Sequence, residues 1–205
     1  MSMKQMRMRT LVGRLSLAAV VVGTASCGDV VRTGRSPVML VMNSLSGGTA
    51  TSAAPLLSDV IRRAAASCTP GTAPCVLPDP GTASLGVVSK DASLAPTATT
   101  NNAVTVTRYR VTFRRADGHN VEGVDVPYGF DGAVTATIAA GASGSVGLVL
   151  VQSTAKRETP LVQLITNPEA SLATIADVTF YGQDQVGNEI SVTGSILINF
   201  SDFPG

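Results

Sequence analysis

His119 is the one histidine in the chain, so any Ser-His-Asp site would have to use it as general base. It lies beside Asp117-Gly118, a pair that favours a turn. Gly141-Ala142-Ser143-Gly144-Ser145 places a serine between glycines. Its second glycine comes one position early for a nucleophile elbow, and no strand–turn–helix pattern surrounds it. A solvated turn histidine and a flexible Gly/Ser loop account for both features, so the chain is not read as an enzyme; a hydrolase is the third-ranked reading. Carboxylates for glycoside chemistry could come from Glu122 with Asp125, Asp177 with Glu189, or Asp184 near Glu189. That chemistry needs two carboxylates held at a fixed separation across a cleft, whereas Asp177 and Glu189 flank one expected hairpin. Asp184-Gln185-Val186-Gly187-Asn188-Glu189 gathers oxygen ligands around a turn, but it lacks the length and spacing of an EF-hand loop. A plain hairpin turn explains the same residues. Two cysteines and one distant histidine lack zinc-ligand spacing. No metal and no cofactor is expected.

The most distinctive group is basic. Arg108, Arg110 and Arg114 share parity, with Thr112 between them. On a regular strand the three guanidiniums project from one face along roughly 20 Å, at about 3.3 Å per residue. Guanidinium binds carboxylate and phosphate in two-pronged fashion, so the stripe is a candidate site for an acidic protein or an anionic envelope polymer. The competing reading is a solvated face whose arginines meet carboxylates on neighbouring strands with small energetic consequence. A glycan-binding module is the alternative function. It would use exposed aromatic faces, and the chain has no Trp, three Tyr and five Phe.

The elements that must position these residues read as strands. Val38–Met42 is an apolar run after Pro37, and Leu85–Ser89 is a second one. Between them, four prolines and two glycines from Cys68 to Thr82 argue against regular structure, and 66–82 is read as a loop-rich insertion. From Val104 to Arg115 the apolar parity changes: Val104 and Val106 are even, Tyr109, Val111 and Phe113 odd. Such a switch predicts a β-bulge near Thr107-Arg108, or burial of both faces. Val121–Val126 is the expected return strand after the Asp117-Gly118 turn. Val134, Ala136 and Ile138 alternate, and Val146–Val151 is apolar on both parities. Pro160–Ile165 can hold a helical turn. Ile190, Val192, Gly194, Ile196, Ile198 and Phe200 share one parity after the Val186-Gly187-Asn188 turn, so that edge must be buried against a second layer. The expected fold is all-β, an antiparallel sandwich of about seven strands, with a closed β-barrel as the alternative.

Lys4, Arg7, Arg9 and Arg14, then Leu15–Val22, then Gly23-Thr24-Ala25-Ser26, form the three regions of a secretory signal peptide over 1–26. The apolar run is too short to span a bilayer. Cleavage before Cys27 removes those four positive charges from a formal net +1 and leaves −3, which gives no basis for nucleic-acid binding. The mature chain then divides into a tether, 27–36, and one domain, 37–205.

Thr24-Ala25-Ser26-Cys27 resembles the lipobox of bacterial lipoproteins, which implies a lipid on Cys27 and a membrane as partner. The position commonly filled by Leu is Thr24, which leaves ordinary cleavage after Ala25 open. In enteric lipoproteins Asp after the cysteine tends to keep the protein at the inner membrane; Gly28 here implies the outer membrane or cell surface. With Cys27 lipidated, Cys68 and Cys75 are left to pair in an oxidising compartment. Tyr109–Gly118, Gly123–Tyr128 and Val178–Asp184 resemble uncharacterised envelope lipoproteins with immunoglobulin-like or fibronectin type III-like sandwiches, over roughly 104–201. That resemblance implies a fold and a location and no activity.

Overall fold

The computed structural model describes residues 35–48, 55–63, 68–69, 73–91 and 100–203. The signal peptide, Cys27 and most of the tether lie outside these residues. Eight strands are described: β1 (Val38–Gly47), β2 (Leu56–Asp59), β3 (Asp79–Ser89), β4 (Val104–Arg114), β5 (Phe130–Ile138), β6 (Ser143–Val151), β7 (Ser171–Asp184) and β8 (Glu189–Ser201). They form two facing sheets, β1-β3-β6 and β2-β8-β7-β4-β5. All pairings are antiparallel except β2 beside β8. The order places β3 and β6 against β4, β7 and β8, as strands B and E oppose C, F and G in an immunoglobulin-type sandwich. The larger sheet curls without closing, so the barrel alternative does not hold.

The alternation written into the sequence is what closes the two layers. On β7 and β8 the even residues point inward, and Val178, Phe180, Ile198 and Phe200 are fully buried. Leu85, Val87 and Leu150 answer them from the smaller sheet. Tyr109 crosses the core: its ring lies 5.9 Å from Phe180, and its hydroxyl accepts the Val149 N–H of β6 at 3.0 Å. The expected helical turn is present as a short 3-10 helix, Leu161–Thr166.

Three expectations need correction. Val121–Val126 is a tight turn, since the N–H groups of Val124, Asp125 and Val126 all reach the Val121 carbonyl. Gly123 has positive φ there, and the Asp125 carboxylate takes the Val121 N–H, so the local polar groups are satisfied without a partner strand. The return strand begins at Phe130. Second, β3 starts at Asp79, inside the stretch read as irregular. Its Pro80 falls at a break in register with β6, where a missing N–H is tolerated. Third, Val146–Val151 is fully covered only at its end; Gly147 is exposed and Val149 half-buried.

One corner of the sandwich is polar and buried. Lys156, 1% exposed, reaches Asp79 Oδ2 at 2.9 Å and the Asp59 carbonyl at 2.9 Å, and Ser58 donates to the same Asp79 oxygen. Arg63 pairs with Asp202 beside it. The Cys68–Cys75 disulfide lies next to this corner, where Arg62 and Cys75 exchange backbone hydrogen bonds of 2.8 and 2.9 Å. It staples a loop outside the sheets, unlike an inter-sheet bridge.

Candidate functional site

The parity switch in β4 is a bulge. Register shifts between Val106 and Arg108 on both sides: against β7 Thr107 is the extra residue, whereas on β5 two residues, Val134 and Thr135, stand opposite it. Before it even residues enter the core, and after it odd ones do. The bulge is accommodated by Gly182 on β7, where a Cβ would lie 2.5 Å from the Thr105 carbonyl oxygen. Beside it opens a cleft of about 430 Å³, lined by Val38, Lys90, Thr107, Arg108, Tyr181 and Glu189, among others. Bulges commonly re-aim side chains at sites of this kind.

The bulge turns all three stripe arginines outward, onto the face opposite the core. Arg108 stacks on the Tyr181 ring, its guanidinium carbon 3.8 Å from the centroid. It shares Asp131 with Arg110, at 3.4 and 2.7 Å. Arg114 pairs with Asp177 at 2.6 Å, and the hydrogen bond from its guanidinium together with the carboxylate's charge raises its pKa. Three guanidiniums therefore meet two carboxylates among the described residues, and the uncompensated charge falls at the Arg108 end, beside the cleft. Lys90 adds a second cation at the rim; it is exposed, and its backbone N–H holds the Pro37 carbonyl at 2.9 Å. Glu189 contributes the opposing charge. Sequence reasoning placed the stripe but missed Lys90 and Tyr181. Tyr181 was legible only in part, since a tyrosine facing out opposite Arg108 follows from the register and not from either strand alone.

The other candidates do not converge. His119 is 71% exposed on the β4–β5 connection, with its Nδ1 3.6 Å from Asp117. Ser143 opens β6 and accepts a hydrogen bond from Asn43 at 3.0 Å. Glu122 and Asp125 bond the N–H groups of Gly129 and Val121, inside their own loop. Asp177 faces Ser195, while Glu189 faces Gln183. At about 3.3 Å per residue those ladder positions are roughly 20 Å apart, too far for a glycosidase pair. Asp184 accepts from Val186, Asn188 and the Asn188 side chain, which builds the hairpin. Of the rings, Tyr128 is 52% exposed, and Tyr181 has the Arg108 guanidinium over its ring.

Two of these carboxylates set an acid limit. Burial opposes the charge on both, but it is outweighed, for Asp177 by hydrogen bonds from Arg114 and Ser195, and for Asp184 by those from Asn188, Ser36 and Val186. Both pKa values sit below the ordinary range. A depressed carboxylate contributes stability that is present above the unfolded-state pKa of about 3.9 and is lost as pH falls through the folded value. Urea midpoints are expected to hold down to about pH 5 and decline below about pH 4. A flat profile to pH 2 would refute this.

The chain is thus a two-sheet β-sandwich with a cleft beside the β4 bulge and a Cys68–Cys75 disulfide, and the disulfide suggests a non-cytosolic compartment. No helix among the described residues is long and apolar enough to cross a membrane. No protein-family model matches the chain, and neither does any curated protein. Among solved structures it is similar to the Bordetella pertussis protein provisionally named ApaA, at 10% identity and a TM-score of 0.36, covering 78% of this chain and 93% of that one. It is also similar to the structural-genomics target SoR45, at 11% identity and a TM-score of 0.33, covering 82% and 89%. Both overlaps are loose, and nothing about activity or partner passes from either structure to this chain.

Proposed function

We propose that this protein is a lipid-anchored envelope lipoprotein that binds an acidic partner through the Arg108 cleft and performs no catalysis. The observation carrying the reading is the stacking of Arg108 on Tyr181 at the mouth of the cleft. A guanidinium fixed over a ring loses little conformational freedom when it takes a carboxylate, and its planar fork supports paired hydrogen bonds. Lys90 supplies the second cation. The shared Asp131 is only 3.4 Å from Arg108, a solvent-exposed contact that an incoming carboxylate can replace at small cost. A glycan would need an open ring face, and the face of Tyr181 under Arg108 is taken, so the acidic partner is preferred.

Titration with a polyglutamate peptide at low salt tests the site. Arg108→Ser and Lys90→Ser are each expected to weaken binding by about tenfold or more, as loss of one charge-assisted contact of about 1.5–3 kcal/mol implies. Equal binding by the wild type and both variants would reject the cleft. The anchor is supported by the order of residues 1–27 and by the disulfide. Cys27→Ser is expected to abolish labelling by a radioactive fatty acid and to release the protein from membranes. Labelling that persists would contradict the lipid assignment.

A further inference from the structure

Lys156 is the largest side chain fully withdrawn from solvent among the described residues, and the cleft makes no use of it. Its Nζ is 2.9 Å from Asp79 Oδ2, and Asp79 is itself 6% exposed. Asp79 pairs in register with Val151 and Ser58 with Phe200, both fully buried, so apolar side chains flank the pair, with the charges of Asp59 and Arg62 acting on it nearby. An ammonium–carboxylate pair becomes an amine and a carboxylic acid when one proton crosses that hydrogen bond. Burial holds the Lys156 amine below its ordinary range, by more than the nearby Asp79 charge lifts it. An uncharged lysine amine is a nucleophile. Here it lies within hydrogen-bond distance of a single carboxyl group, both of them almost fully withdrawn from the surface.

We propose that Lys156 Nζ and Asp79 Cγ join in an intramolecular amide with loss of one water. One proton passes from Nζ to Oδ2, and the freed lone pair forms the Nζ–Cγ bond. A second proton from Nζ then goes to Oδ2, the Cγ–Oδ2 bond breaks, and that oxygen departs as water. Oδ1 stays as the amide carbonyl. Ammonium plus carboxylate equals amide plus water, so no oxidant, reductant or co-reactant enters. The neighbours suit the product as well as the ion pair. The Ser58 hydroxyl donates to Oδ2 at 2.5 Å, the oxygen that must leave. The Asp59 carbonyl, 2.9 Å from Nζ, accepts the single N–H that the amide keeps. The link ties the start of β3 to the connection between β6 and β7, next to the loop already stapled by Cys68–Cys75.

Peptide mass mapping of the mature protein, purified from the membrane fraction, tests the link directly. Trypsin is expected to release a branched peptide that joins the segments carrying Asp79 and Lys156, lighter than their sum by one water. Lys156→Arg keeps the charge but is expected to give only linear peptides of undiminished mass. Linear Asp79 and Lys156 peptides from the native protein would overturn the proposal. So would a water loss that maps to Asp117-Gly118 or Asp131-Gly132, where an aspartyl ring can form without Lys156. The native digest is decisive by itself, whether or not the variant folds.

Discussion

Lys156→Met, with Asp79 left in place, is expected to unfold at about 3–5 kcal/mol less cost than the double variant Lys156→Met/Asp79→Leu. Neither variant can form the amide, so the comparison isolates the burial of charge. In the single variant Asp79 stays 6% exposed with Ser58 as its remaining close donor. A carboxylate so placed has lost the cation that offset its desolvation. In the double variant two apolar side chains of similar size fill the same corner, and such replacements are commonly neutral or stabilising. Domains of this size are stable by about 5–15 kcal/mol, so the single variant forfeits a large share. Urea midpoints at constant slope give the difference. A double variant no more stable than the single one would show that the pair is not the buried, desolvated contact described above.

This corner also marks the limit of what the sequence discloses. Lys156 lies in a polar stretch, Gln152–Thr159, that reads as a surface connection. Nothing local says that its amine passes beneath β2 to Asp79, because the partners come from three distant segments. The same is true of β2 itself, which pairs parallel with β8 over four residues. Leu56–Asp59 has no clean alternation, so the sequence leaves the segment from Leu57 open between a helical turn and a strand. By contrast, the β4 bulge was legible at Thr107-Arg108, since a pleat with period two cannot change parity without an extra residue. The arginine stripe followed from the same parity. Its neutralisation by Asp131 and Asp177 did not, because pairing across a sheet depends on register between strands. Val121–Val126 misled for a related reason: three valines favour a strand, but Gly123 and Asp125 close a turn before any strand can form.

Phe200→Ala is expected to cost about 3–5 kcal/mol, the range for emptying a buried aromatic site, whereas Leu197→Ala on the same strand is expected to cost no more than about 1 kcal/mol. The two residues differ in parity. Phe200 is fully buried, its ring centre is 6.4 Å from that of Phe113 on β4, and it faces Leu172 across the β7–β8 ladder. Leu197 is 41% exposed and meets Ile175 on the outer face. An alanine at 200 leaves a void between the sheets that the flanking strands cannot close without shifting the β8 ladder. An alanine at 197 leaves its site open to water already present. Hydrophobicity alone would rank the two substitutions close together, so a several-fold difference in their effect reports which face of β8 is covered. Thermal or urea unfolding of both variants measures it. Equal losses would mean that both faces of β8 are buried, and that the two-layer packing holding the Arg108 cleft open is wrong.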